Sequence, residues 1–188
     1  LLGTQIRLTI FDAKNEGVLK TVEPVGESGV FPFTLDHANK YAYVCLGLHV
    51  GFDVVDVSAG KVIHRVLAGR EPIAHRTHGA ALTPDESELW ISDQEGKQLF
   101  VFDAAQMPPK EVTSVPLGSG GHGWVNFSLD GKFAYCHTPE VFDAKTKKKI
   151  AELRDEKGRP VSSSKFIEVH LKDGKVVGMG SEFGLGRK

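Results

Sequence analysis

Four aspartates at nearly regular intervals constrain the fold of this chain more than any other feature of the sequence. Short apolar segments end in Asp12, Asp56, Asp103 and Asp143, at intervals of 44, 47 and 40 residues. Each aspartate is followed by a turn and by a more polar segment. A repeat of roughly 40 to 50 residues is typical of solenoids and propellers, in which each unit packs mainly on its neighbours.

Two more segments precede Asp56, Asp103 and Asp143 and complete the repeat. The first is a short apolar run closed by a turn, as in 78–85, and the second carries a bulky aromatic residue in register: Tyr43, Trp90 and Tyr135. Four short runs per repeat, separated by Gly, Pro, Asp and Asn, predict four β-strands and leave little room for helices. We therefore predict an all-β fold, a β-propeller of about four blades with four antiparallel strands each.

The repeat also predicts how the chain is divided. The whole of 1–188 forms a single propeller segment, in which the chain opens with the third and fourth strands of a blade, over Arg7–Val22, and closes with a first and second strand, over Phe166–Met179. We therefore expect further blades outside this sequence. The predicted units are the end of one blade at 1–24, blades at 29–69, 77–117 and 121–155, and the start of a last blade at 163–188.

The repeated residues have predictable structural roles. A single twisted sheet cannot bury both of its faces, so neighbouring blades must cover each other's apolar surface. The aromatic residue of the second strand and the apolar residue before each aspartate are predicted to pack between blades. The aspartates are predicted to cap the following turn by accepting local backbone N–H bonds.

The segments Leu82-Thr83-Pro84-Asp85, Leu89-Trp90-Ile91-Ser92-Asp93 and Phe100-Val101-Phe102-Asp103 resemble the YVTN β-propeller repeat, found in surface-layer-like and other exported bacterial and archaeal proteins. The resemblance covers nearly the whole chain. It implies part of a seven-bladed propeller in a periplasmic or extracellular location. The matching residues are packing and turn positions, so the resemblance is informative about fold and not about a ligand.

Composition argues against several classes of partner. The formal net charge is -1, and the one basic run, Lys145–Lys149, falls in a predicted turn, so nucleic acid is not expected as a partner. The longest nearly apolar stretch, Tyr41–Phe52, is too short to span a bilayer and contains His49. Cys45 and Cys136 occupy non-equivalent positions in different blades, so we predict buried, unpaired thiols.

A histidine–glycine dipeptide occurs in two adjacent repeats and marks the candidate site. His78-Gly79 and His122-Gly123 are each predicted just before a first strand, at the mouth of the central channel. One interpretation is a metal site with His78 and His122 as ligands, and another is a partly cationic pocket for a small anionic ligand. A third is purely structural, with glycine needed for the backbone to enter the channel and histidine bonded to a loop carbonyl. The predicted ligand-binding residues are His75, Arg76, His78, His122 and Trp124.

No catalytic residues are assigned, because the sequence has no nucleophile elbow, phosphate loop, HExxH helix or CxxC pair. The sequence thus favours a non-catalytic binding or scaffold propeller, with a ligand or protein partner at the channel mouth and the remaining blades, or a second chain, as a further partner. Two alternatives stay open. One is a lactonase-like hydrolase using Arg76, His78 and His122, and the other is a metal-binding or redox accessory propeller. No cofactor is assigned apart from a divalent metal in the metal-site interpretation.

Overall fold

The computed structural model describes residues 1–93, 95–119, 123–162 and 166–180, and these residues contain strands and no helix. The strands of the first half are β1 (Leu2–Thr4), β2 (Arg7–Phe11), β3 (Val18–Val22), β4 (Phe33–Leu35), β5 (Tyr41–Cys45), β6 (Gly51–Asp56), β7 (Lys61–Leu67) and β8 (Thr77–Leu82). Those of the second half are β9 (Glu88–Asp93), β10 (Gln98–Asp103), β11 (Lys110–Pro116), β12 (Val125–Phe127), β13 (Phe133–Cys136), β14 (Glu140–Asp143), β15 (Lys149–Glu152), β16 (Glu168–Lys172) and β17 (Lys175–Gly180).

Consecutive strands pair antiparallel and form five separate sheets. The first sheet contains β1–β3, the second β4–β7, the third β8–β11, the fourth β12–β15 and the fifth β16–β17. The innermost strands of neighbouring sheets lie side by side, β4 beside β8 and β8 beside β12, without pairing into one sheet. The fourth strands, such as β11, are largely exposed at the outside. This all-β, radially stacked arrangement is that of a partial β-propeller.

Apolar clusters fill the interfaces between the first four sheets. Between the second and third sheets, Phe52 and Phe102 are both 0% exposed and meet edge to face, with ring centroids 5.0 Å apart. Between the third and fourth sheets, Trp90 meets Phe127 in the same way at 5.4 Å. The predicted packing role of the second-strand aromatic and of the residue before the aspartate is therefore confirmed at these interfaces.

The repeated aspartates cap turns as predicted. Each accepts a hydrogen bond from a backbone N–H two or three residues further on, over distances of 2.6 to 3.0 Å. The N–H of Ala59 holds the pKa of Asp56 below its usual range, and the N–H of Thr146 does the same for Asp143. The donors are Lys14 for Asp12, Ala59 for Asp56, Ala105 for Asp103 and Thr146 for Asp143.

Two details of the predicted strands are wrong. The chain does not open at a third strand, because β1 pairs with β2 before it, joined through a turn in which Gln5 has a positive φ of 49°. The sequence also predicts His170, inside the last first strand, as a core or channel-wall residue, but its side chain is 47% exposed and its Nε2 contacts the Glu168 carboxylate. The reason is that the sheet β16–β17 is covered on only part of its surface by the described residues.

Both cysteines are buried and free, as predicted. Burial raises the pKa of the Cys136 thiol to about 11 and raises that of Cys45 further. Such thiols stay protonated at neutral pH and behave as small apolar side chains. In the described part of the chain no helix is long and apolar enough to cross a membrane.

Candidate functional site

Because the strands are antiparallel, several connections lie at the same end of every sheet. First and third strands begin at this end, and second and fourth strands finish there, so we name it the channel-mouth rim. Backbone hydrogen bonds join neighbouring sheets along the rim. The N–H of Thr77 donates to the carbonyl of Leu46 over 3.1 Å, and the N–H of Val50 donates to that of Ile73 over 3.0 Å. Residues from different blades therefore form one surface here.

Three of the predicted ligand-binding residues meet at this rim, together with an aromatic residue that the sequence did not single out. His78 lies between two rings, with its centroid 6.3 Å from that of Phe31 and 6.1 Å from that of Trp124. The guanidinium carbon of Arg76 lies 4.7 Å from the centre of the Phe31 ring. We name Phe31, Arg76, His78 and Trp124 the rim cluster. Arg76 is exposed and the other three are half-buried.

The two glycines of the repeated dipeptides have a packing role. A methyl group on Gly79 would clash with the carbonyl oxygen of Gly123 and lie 2.8 Å from the Cα of Trp124. A methyl group on Gly123 would lie 2.5 Å from Ser92 Oγ, which donates to the Gly123 carbonyl over 2.7 Å. The glycines therefore allow the innermost strands of the third and fourth sheets to approach closely.

The predicted position of the first dipeptide needs correction. His78 and Gly79 do not precede the first strand but lie inside β8, which begins at Thr77. The register of β8 against β9 shifts between Thr77 and Gly79. Such an irregularity re-aims the side chain beside it. His78 thereby points at the aromatic rings of the rim cluster although it belongs to a strand.

His75 is held by its own blade. Its Nδ1 lies 3.2 Å from each carboxylate oxygen of Asp93, whose side chain is only 3% exposed. The carboxylate also accepts the backbone N–H groups of Glu95 and Gly96. With Nδ1 engaged by the carboxylate, Nε2 is the nitrogen of His75 left for a ligand, and the ring is 36% exposed.

A second group of polar residues on the rim was missed by sequence reasoning. The buried Asp53 carboxylate accepts two bonds from Arg65, of 2.7 and 2.9 Å, and one from the backbone N–H of Gly26. The same hydrogen bonding raises the pKa of Arg65. Glu27 lies 3.5 Å from the guanidinium of Arg65 and 2.8 Å from Nδ1 of His49. The available signal was the aspartate itself, since a carboxylate inside an apolar strand requires a buried partner.

The predicted metal pair lies partly beyond what the structure describes. His122 falls outside the described residues, so the pairing of His78 with His122 stays a prediction, as does the lactonase-like arrangement of both histidines with Arg76. Within 1–93, 95–119, 123–162 and 166–180, no three His, Cys, Asp or Glu side chains are grouped so as to hold a metal ion.

Comparison with family models and with curated proteins finds no match to this chain. Solved structures do match. Hydrazine synthase from Kuenenia stuttgartiensis has a TM-score of 0.69 at 18% identity, over 94% of this chain and 49% of that one. The dihydro-heme d1 dehydrogenase NirN in complex with DHE has a TM-score of 0.71 at 13% identity, over 95% of this chain and 38% of that one. This chain thus has the β-propeller fold of these structures and spans half of their length or less.

Proposed function

We propose that this chain is a non-catalytic binding segment of a propeller, and that the rim cluster binds a small, flat, anionic ligand at the channel mouth. The observation that carries the proposal is the meeting of Arg76, His78 and Trp124, with Phe31, from successive blades at one rim. Ligand sites in propellers and barrels commonly occupy such mouths, where loops of several units converge.

The chemistry of the cluster selects the class of ligand. Arg76 offers an exposed guanidinium whose planar set of donors suits a carboxylate or phosphate. The half-buried rings of Phe31 and Trp124 add aromatic surface beside the guanidinium, which suits a ligand with a flat apolar body. A planar acid satisfies both requirements, with its charge at Arg76 and its ring against the aromatic side chains.

One of the solved neighbours is consistent with this proposal. NirN is a dihydro-heme d1 dehydrogenase whose structure was solved in complex with DHE. That protein therefore acts on a heme compound, and hemes are flat and acidic. At 13% identity the likeness concerns the fold, so the rim cluster of this chain remains the argument for its own ligand.

Titration with naphthalene-2,6-dicarboxylate and with hemin, followed by calorimetry, tests the proposal. Arg76→Ala is expected to weaken binding of either probe about tenfold or more, because a charge-assisted hydrogen bond contributes roughly 1.5 to 3 kcal/mol. Arg70→Ala is the matched control, since Arg70 is an exposed arginine in the same β7–β8 connection. Equal losses for both variants, or no saturable binding by the wild-type chain, contradict the proposal.

A divalent metal at the same rim is a second candidate, favoured by two carboxylate–histidine pairs. In His75–Asp93 and His49–Glu27 the carboxylate contacts Nδ1. A histidine that binds a metal through Nε2 usually donates its Nδ1–H to such a carboxylate. Zinc titration of metal-free protein tests this candidate, with His75→Gln expected to weaken uptake. The absence of any uptake by the wild-type chain removes it.

We also infer that other propeller blades, of the same protein or a second chain, cover the apolar side chains exposed on the first and last sheets. A second inference is that the protein works in the periplasm or outside the cell. Val18 and Leu19 are 61% and 60% exposed, and Val176 and Met179 are both 63% exposed. Several exposed apolar side chains on one sheet mark a surface suited to a partner. A monomer by light scattering that binds no hydrophobic dye contradicts the first inference, and a cytosolic native protein on fractionation contradicts the second.

A further inference from the structure

A cavity of about 210 Å³ lies between the fourth and fifth sheets, and none of the rim-cluster residues lines it. Its walls are mainly apolar and aromatic. They include Leu129 and Tyr135 of the fourth sheet region, Leu153 after β15, and Phe166 and Ile167 before β16. Tyr135 and Phe166 meet across the interface, with ring centroids 5.3 Å apart and planes tilted by 31°. The cavity is therefore suited to a flat, apolar body.

One polar side chain in the wall, that of Asn126, is buried without compensation. Its neighbours in β12, Val125 and Phe127, belong to the cluster that packs on the third sheet. Because side chains alternate along a strand, Asn126 faces the other way, towards the cavity and the fifth sheet. Asn126 is 4% exposed, and among the described residues neither its Oδ1 nor its Nδ2 has a hydrogen-bond partner.

A buried amide without partners is unfavourable, and native proteins contain few of them. The acidic residue in the wall does not compensate it. Glu168 uses Oε2 to accept the backbone N–H of Leu129 over 2.7 Å, and its Oε1 contacts His170. The described lining residues include no lysine or arginine. The wall of the cavity thus contains one buried amide whose donor and acceptor atoms have no hydrogen-bond partner among the described residues.

We propose that this cavity binds a small, uncharged, planar ring compound that carries a carboxamide or an equivalent donor–acceptor edge. The ring occupies the space beside Tyr135, Leu153 and Phe166. The edge of the ligand donates to Oδ1 of Asn126 and accepts from Nδ2. A dry cavity of about 150 Å³ accommodates a benzene ring, so a cavity of about 210 Å³ has room for a ring and one amide group.

Benzamide is a suitable probe, with toluene as its counterpart that lacks the amide. Both are titrated into the 188-residue chain by calorimetry, in the wild type, in Asn126→Leu and in Arg76→Ala. We expect benzamide to bind the wild type at least tenfold more tightly than toluene, because only benzamide pairs with the amide. Asn126→Leu removes this preference and leaves toluene binding unchanged. Arg76→Ala leaves benzamide binding unchanged, which separates this site from the rim cluster.

Nuclear magnetic resonance of the unaltered chain provides an independent measurement should Asn126→Leu fold poorly. Saturable shifts of the Asn126 side-chain NH2 resonances on adding benzamide support the proposal. Three results overturn it: no saturable binding of benzamide, equal affinities of the wild type for benzamide and toluene, or an Asn126 resonance that does not move.

Discussion

The interface between the second and third sheets differs sharply from that between the fourth and fifth, although the same repeat pattern produces both. In the former, Phe52 and Phe102 are fully buried against each other. In the latter a cavity of about 210 Å³ remains, and Val169 and Met179 of the fifth sheet are 47% and 63% exposed. Apolar residues at blade positions are thus buried where a neighbouring sheet packs closely against them, and stability resides in the interfaces rather than in single sheets.

The largest effect is expected for removal of a ring from the well-packed interface. Phe102→Ala should lower the free energy of unfolding by about 3 to 5 kcal/mol, because it leaves a cavity beside Phe52. Phe11→Ala is the control, since Phe11 of the first sheet is 37% exposed and its loss should cost about 1 kcal/mol or less. Urea unfolding followed by fluorescence measures both. Equal losses would break the contrast between buried interface rings and exposed rings.

A smaller effect is expected at the buried carboxylate of the rim. Asp53→Asn should lower the free energy of unfolding by about 2 to 3 kcal/mol, because it removes the carboxylate that pairs with Arg65 and accepts a hydrogen bond from the Gly26 N–H. The cost stays below that of breaking a fully buried pair, since Arg65 is 46% exposed and can be hydrated.

The matched control for this carboxylate is an exposed pair in the first sheet. Glu23 and Arg7 are 40% and 54% exposed, so Glu23→Gln should change stability by less than about 1 kcal/mol. Urea unfolding at low and high salt measures both variants. If Glu23→Gln lowers the free energy of unfolding as much as Asp53→Asn does, burial does not determine how much these ion pairs stabilise the fold.

Gly79→Ala should lower the free energy of unfolding by about 1 to 3 kcal/mol, because the innermost strands lie close together and the added methyl group meets the backbone of Gly123 and Trp124. Gly178→Ala in the fifth sheet is the control, since its methyl group would lie 3.6 Å from His170 Cβ, an ordinary contact. Thermal unfolding measures both. If Gly79→Ala is neutral, the third and fourth sheets are not in contact at these residues.

The smallest effect concerns pH. Hydrogen bonds from Lys132 and from Ser128 lower the pKa of Asp130 from 3.8 to about 2. A lowered folded-state pKa means that the ionised carboxylate stabilises the fold fully above about pH 4, and that this stabilisation is lost as the pH falls towards 2. Since Asp130 is 45% exposed, its contribution should be below about 1 kcal/mol. Titration followed by nuclear magnetic resonance measures the pKa, and a value near 3.8 contradicts the expectation.

The sequence predicted the strands and their grouping because the repeat specifies turn and packing residues locally. It missed β1, whose residues Leu2–Thr4 contain neither the aromatic residue nor the turn pattern of the other second strands. It also misplaced His78 relative to β8, because the register shift at Thr77 depends on the partner strand and leaves no clear mark in the sequence.

The candidate site was predictable only in part. Arg76, His78 and Trp124 were recognised because they lie in or beside the two histidine–glycine dipeptides, whereas Phe31 belongs to a copy of the repeat that has no such dipeptide. Asp53 and Arg65 are register partners in β6 and β7, whereas Glu27 and His49 come from different connections 22 positions apart. Such pairings depend on strand register and on how connections meet at the rim. Local patterns of residues therefore specify the blade but not the surface that several blades create together.

The central claim is that successive sheets stack face to face and are not joined edge to edge. Nuclear Overhauser contacts between the ring protons of Phe52 and Phe102, together with the amide contacts around β7 and β8, test it most directly. The structure predicts strong ring contacts and no β-ladder between β7 and β8. A continuous ladder of amide contacts joining β7 to β8, without the ring contacts, would contradict it.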